Sequence, residues 1–94
     1  MIFIATAIPP RLVINGSEYT KLQKVTQDNL NRGINNWILK ASTKRSDFEI
    51  VDISFRALKD DIVLVVITYQ SKLPCDISLQ TEINKSMYFS YREE

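Results

Sequence analysis

Hydrophobic and polar positions change period several times along this chain, and each change predicts an element. The first eight residues, MIFIATAI, are mostly apolar, and Met1 to Ala7 read as a strand. Pro9-Pro10 ends it, because neither residue can donate to a β-ladder. Arg11 to Asn15 (RLVIN) reads as a second short strand, and Asn15-Gly16 is a turn signal because both residues accept positive φ. Residues 17–25 (SEYTKLQKV) fit either the returning strand of a hairpin or the start of a helix. A hairpin over 11–25 is favoured, because a helix drawn from residue 18 puts Gln23 and Gln27 inside its apolar stripe.

A cleaner helix begins near Thr26 or Asp28, both good N-caps, and runs to about Ser42. At 100° per residue Leu30, Ile34, Trp37 and Ala41 share one face, with Ile38 beside them. Gly33 costs about 1 kcal/mol against alanine there, and the expected return is close approach of the helix to a sheet.

After a basic loop (STKRS, residues 42–46), Val51, Ile53, Phe55 and Ala57 alternate with Asp52, Ser54 and Arg56, the mark of a half-buried strand. Phe48 and Ile50 have the opposite parity, which predicts a bulge near Ile50-Val51. Lys59-Asp60-Asp61 makes a turn. Ile62 to Tyr69 is apolar or β-branched on both parities, so it predicts a central strand with both faces covered. One helix covers one face only; the other needs a further piece of the chain or a second subunit. Beyond a break at Ser71 to Pro74, Ile77, Leu79, Thr81 and Ile83 alternate, as do Met87, Phe89 and Tyr91, and these runs read as one or two more strands.

The expected fold is therefore a single small α+β domain over residues 1–94. An antiparallel sheet of four to six strands packs on one main helix, and the protein is oligomeric. Its expected core is Phe3, Leu12, Ile14, Leu30, Ile34, Trp37, Ile38, Ile53, Phe55, Val63, Val65 and Ile67.

Composition narrows the chemistry. There is no histidine, which removes the usual general base and the commonest transition-metal ligand. The one cysteine, Cys75, has no partner for an internal disulfide or a zinc site, and as a nucleophile it lacks an imidazole to deprotonate it. Two glycines build no phosphate loop. No catalytic residues, metal or cofactor are assigned. No segment reaches membrane-spanning length, and an odd cysteine fits a reducing, cytoplasmic setting. Charge is uneven: residues 1–46 carry seven Lys/Arg against two acids, and residues 47–94 carry five against nine. Such a split marks a basic binding face, two halves of the chain that attract one another, or subunits meeting head to tail.

Part of the chain resembles a family of small sporulation proteins of spore-forming bacteria, through INNWI (Ile34 to Ile38), IVDISF (Ile50 to Phe55) and VITYQ (Val66 to Gln70). The resemblance implies a strand-helix-strand-strand core and carries no chemistry with it.

What remains is cations beside aromatics, chiefly in KSMYFSYREE (residues 85–94). Arginine binds phosphate bidentately and tyrosine stacks on a base. Arg11, Arg56, Tyr88, Tyr91 and Arg92 are the candidate ligand-binding residues. The expected function is a non-enzymatic binding protein acting as a homo-oligomer. In its sharper form it is a phage-type accessory protein that sequesters a small anionic ligand, such as a nucleotide signal, or a host protein. The alternatives are a structural or sporulation-associated interaction protein without a ligand, and a nucleic-acid-binding regulator.

Overall fold

A computed structural model of the chain describes residues 1–10, 19–59 and 62–92, with side chains at 1–10, 27–59 and 62–87. The element order is β1 (Ile2–Ala7), α1 (Tyr19–Lys44), β2 (Glu49–Lys59), β3 (Ile62–Gln70) and α2 (Leu79–Arg92). The strands form one antiparallel sheet in the order β1-β3-β2. The fold is thus α+β, with three strands among the described residues where four to six were expected in the chain, and two helices in place of one.

β3 is central, as its two-sided apolar pattern predicts, and its register defines the two faces of the sheet. Phe3, Ala5 and Ala7 pair with Tyr69, Ile67 and Val65, while Ile50, Ile53, Phe55 and Ala57 pair with Tyr69, Ile67, Val65 and Val63. These rows face the helices. The expected bulge is present: the register slips between Ile50 and Asp52, so Val51 is the extra residue and Ile50 returns to the same face as Ile53. A second slip, between Ala57 and Lys59, makes Leu58 extra.

Both helices lie on this one face. Ile34 and Trp37 of α1 and Leu79, Ile83 and Met87 of α2 join Ala7, Val65, Ile67 and Tyr69 in a single core. Trp37 is its anchor, fully buried, with its Nε1–H donating to the Ile77 carbonyl at 2.8 Å. Its ring meets those of Phe48 and Tyr69 edge-on at 5.6 Å, and Phe3 packs on Tyr69 at the same distance.

Several expectations are corrected. Residues 19–25 are the first turns of α1 and not the second half of a hairpin; residues 11–18, with Leu12 and Ile14, lie outside the described residues, as do Asp60 and Asp61 of the expected turn. The one or two strands expected toward the C-terminus are one helix, α2. Leu79 and Ile83 are four residues apart, a spacing that satisfies both a strand and a helix. The buried residues Leu79, Glu82, Ile83, Ser86 and Met87 follow the helical period, and Thr81 points to solvent. Ser78 caps this helix, its Oγ accepting from the Thr81 amide at 3.2 Å. Gly33 serves a helix contact, not a sheet contact: it lies against Ile83 and Ser86 of α2. Ile53, Phe55 and Val63, expected in the core, are 38%, 51% and 37% exposed; Ile53 and Phe55 stand on the edge strand β2, outside the core that the helices form with β1 and β3, although their ladder partners Ile67 and Val65 are fully buried.

Candidate functional site

The opposite face of the sheet has no cover among the described residues. It carries Ile2, Ile4 and Thr6 from β1, Ile62, Leu64, Val66 and Thr68 from β3, and Glu49, Asp52, Ser54, Arg56 and Lys59 from β2. Ile4 is 65% exposed. The pattern is an apolar strip over β1 and β3 bordered by a charged row on β2. At about 4.8 Å per strand and 3.3 Å per residue, such a face measures roughly 300–400 Å², the size of the largest apolar patch on an ordinary monomer. On the side of the sheet that faces the helices, Phe55 and Val63 are also exposed, as is the bulge residue Leu58.

The far end of β1 is fixed by a side chain that imitates a strand. The Ile8 amide donates to Gln80 Oε1, and Gln80 Nε2 donates to the Ile8 carbonyl, both at 2.7 Å. Gln80 Nε2 also donates to Asn84 Oδ1 at 2.9 Å, which aims the amide from α2 toward β1. Among the described residues the edge of β2 has no comparable cover. Among the described residues its one ladder partner is β3, and Val51, Phe55 and Leu58 are each more than half exposed along it.

The uneven charge resolves in part inside the chain. Lys40 Nζ sits 2.7 Å from Glu82, itself only 6% exposed, and Lys44 sits 3.2 Å from Asp76. Two cations of the basic N-terminal half are thus held by acids of the C-terminal half. Lys85 reaches Glu82 at 3.8 Å as well. The Lys44 hydrogen bond holds the Asp76 carboxyl below the ordinary aspartate value. Asp47 is held low by the Lys72 backbone amide, which donates to its Oδ2 at 2.8 Å.

Of the five candidate ligand-binding residues, Arg56 stands on the uncovered face opposite Leu64. Tyr88, Tyr91 and Arg92 belong to the helical backbone of α2, the element packed on the other face, and their side chains are outside the described set; Arg11 lies outside the described residues altogether. Within one chain the sheet therefore separates Arg56 from the element that carries the two tyrosines. Cys75 is half-buried, and its amide donates to the Tyr69 hydroxyl at 2.8 Å, which is a packing role. No helix among the described residues is long and apolar enough to cross a membrane. The uncovered sheet was half legible in the sequence: the two-sided pattern of β3 demanded a second cover, but the strand order was needed to see that Ile2 and Ile4 share the exposed face.

No protein-family model matches the chain, and no curated protein and no solved structure matches it.

Proposed function

We propose that this protein is a non-catalytic binding protein that works as a homo-oligomer, with the exposed sheet as its working surface. The observation that carries this is the sheet of β1, β2 and β3, which among the described residues has helices on one face only and whose other face presents Ile2, Ile4, Leu64 and Val66. Leaving such a face in water forgoes about 25 cal/mol for each Å² of apolar surface, a loss that association recovers. The absence of histidine from the sequence agrees with holding a partner in preference to turning one over.

Sedimentation equilibrium at tens of micromolar tests the reading. An assembly is expected, and a single species at the chain mass of 10.9 kDa overturns it. The narrower form, in which the assembly sequesters an anionic ligand such as a nucleotide, rests on Arg56 being displayed on that surface. A panel of mono-, cyclic and oligonucleotides tests it by thermal shift. A rise in melting temperature that disappears in Arg56→Ala, with the nucleotide recovered intact, is the expected result. No shift across the panel leaves a protein-only interaction module.

A further inference from the structure

We propose that β2 pairs edge to edge with β2 of a second copy, antiparallel, about a two-fold axis through Ser54, joining two three-stranded sheets into one of six strands. This deepens the reading that the protein works as an assembly, and rests on it. The argument starts from the strand itself, Glu49–Lys59, EIVDISFRALK. When this strand is laid antiparallel on its own copy with Ser54 opposite Ser54, Asp52 meets Arg56 and Glu49 meets Lys59. Ile53 meets Phe55, Ile50 meets Leu58 and Val51 meets Ala57. Each charged position then faces its opposite, and each apolar position faces an apolar one. A two-fold interface has this property of self-complementarity, because residue i contacts j wherever j contacts i.

The register is also selective. A slip by one residue places Asp52 opposite Phe55 or Ala57, and moves every side chain to the wrong face of its neighbour. Opposite charges across an antiparallel pair stabilise it and like charges destabilise it, so the charged row fixes one alignment. Three observations in the fold agree. β2 is an edge strand, with β3 as its one ladder partner among the described residues. Glu49, Asp52, Arg56 and Lys59 share the uncovered face, where they meet across the seam. Ile53 and Phe55, left exposed on the helix side by the helices of their own chain, gain each other as cross-strand neighbours. The two register shifts flank the run Asp52–Ala57, so the regular part of the strand contains the proposed axis. The other edge, β1, is a poorer candidate: IFIATA has no charges to set a register, and Gln80 already occupies the strand extension at Ile8.

The test uses the full chain. In a Cys75→Ser background, Ser54→Cys places two thiols opposite each other at the axis. Directly opposed residues of antiparallel strands have Cα atoms about 4.5–5.5 Å apart, within the range a disulfide spans. Mild oxidation is expected to give a covalent dimer, while Ser46→Cys in the basic loop gives none. Separately, Asp52→Arg and Arg56→Asp are each expected to weaken association on the order of tenfold, since each substitution alters two symmetric pairs. The combined swap restores association to within about threefold of the native chain, because the opposite-sign pairs reform. Circular dichroism of these exposed-site variants monitors the fold. A native chain that is monomeric overturns both this pairing and the reading beneath it. A native assembly in which Ser54→Cys does not cross-link and the double swap fails to rescue overturns the edge pairing alone.

Discussion

Gly33 of α1 lies against Ile83 of α2 so closely that a Cβ on Gly33 would stand 3.0 Å from the Ile83 Cα. The same atom would stand 3.2 Å from the Glu82 carbonyl oxygen and 2.7 Å from Ser86 Oγ. The serine hydroxyl can rotate, but it donates to the Asn29 carbonyl at 2.7 Å and gives up that bond if it moves; the backbone of α2 cannot step aside without shifting the whole helix. Glycine in mid-helix is thus the residue that lets the two helices touch. Gly33→Ala gains about 1 kcal/mol of helix propensity and loses about 1–3 kcal/mol to overpacking. The overpacking dominates because two of the three contacts are backbone. The expected outcome is a lower urea midpoint with an unchanged slope. A stabilised variant would show that the helices separate more easily than this contact implies.

Trp37 offers a test in two grades. Trp37→Phe keeps most of the ring volume but removes the donor to the Ile77 carbonyl, a bond of 2.8 Å in a part-buried site. A loss of about 1–3 kcal/mol is expected, from the unsatisfied acceptor and the smaller ring. Trp37→Ala also empties the space between Phe48, Tyr69 and α2 and is expected to cost about 3–5 kcal/mol, close to the whole stability of so small a fold. Denaturant titration separates the two, and native tryptophan emission near that of free indole would contradict the burial itself.

These cases also mark how far the residues alone led. The helix stripe of Ile34, Trp37 and Ala41, the central position of β3 and the bulge at Val51 were all legible, because each is a local pattern with one dominant period. α2 was misread for a physical reason. Leu79, Ile83 and Met87 recur every four residues, which strand and helix share, and the choice between them is made by Ser78 as N-cap and by burial of Glu82 and Ser86 against α1. Glu82 inside a helix interface is paired by Lys40, forty-two residues away in sequence, and no local pattern announces that. The missing cover over Ile53 and Phe55 is equally non-local, since it depends on β2 lying at the edge of the sheet while the helices pack with β1 and β3. For the candidate site, Arg56 and the apolar parity of β3 were readable, whereas the shared face of Ile4, Val66 and Ser54 follows only from the strand order.

The Gln80 amide tests whether α2 holds β1 in place. It both accepts from and donates to Ile8. Gln80→Glu keeps the acceptor but turns the donor into a charged oxygen facing the Ile8 carbonyl. Faster amide exchange along β1 is expected, at Ile8 first, with β3 protected as before. Gln80→Ala is expected to be milder, because it removes three exposed hydrogen bonds, two of them to Ile8, without adding a repulsion. Equal exchange in all three proteins would show that the pairing contributes nothing to β1 docking.

Acid sensitivity follows from two aspartates. Asp76 is held low first by its hydrogen bond from Lys44, and Asp47 first by the Lys72 backbone amide. A carboxyl whose folded-state value is depressed binds its proton more readily when unfolded. Its contribution is therefore present above the unfolded value of about 3.9 and is lost as pH falls through the folded value. Stability should decline as pH drops below about 4. Asp47→Asn and Asp76→Asn are each expected to lower the melting temperature slightly at pH 7 and to flatten its fall in acid. Both groups are solvent-exposed, so salt should shrink the difference that Asp76 makes.

Val65 and Val66 are adjacent in β3 and point to opposite faces, which makes them a matched pair for asking which face is the core. Val65 is fully buried among Ala7, Ile67 and the helices, and its partner across the ladder is Ala7. Val66 is half-buried on the uncovered face, beside Thr6 and Ser54. Val65→Lys places an ammonium where it has no water and no counter-charge, and the chain is expected not to fold. Val66→Lys lets a long side chain run out over β1 or β2 with its head in solvent, and the chain is expected to keep its native circular dichroism and buried tryptophan emission. The comparison is read on the same day in the same buffer, by far-UV dichroism and tryptophan fluorescence. If Val66→Lys unfolds the chain as Val65→Lys does, the face bearing Ile4 and Val66 is part of the folding core and is not a surface available to a partner. If it folds, sedimentation of that variant then reports whether the apolar strip contributes to assembly beyond the β2 edge.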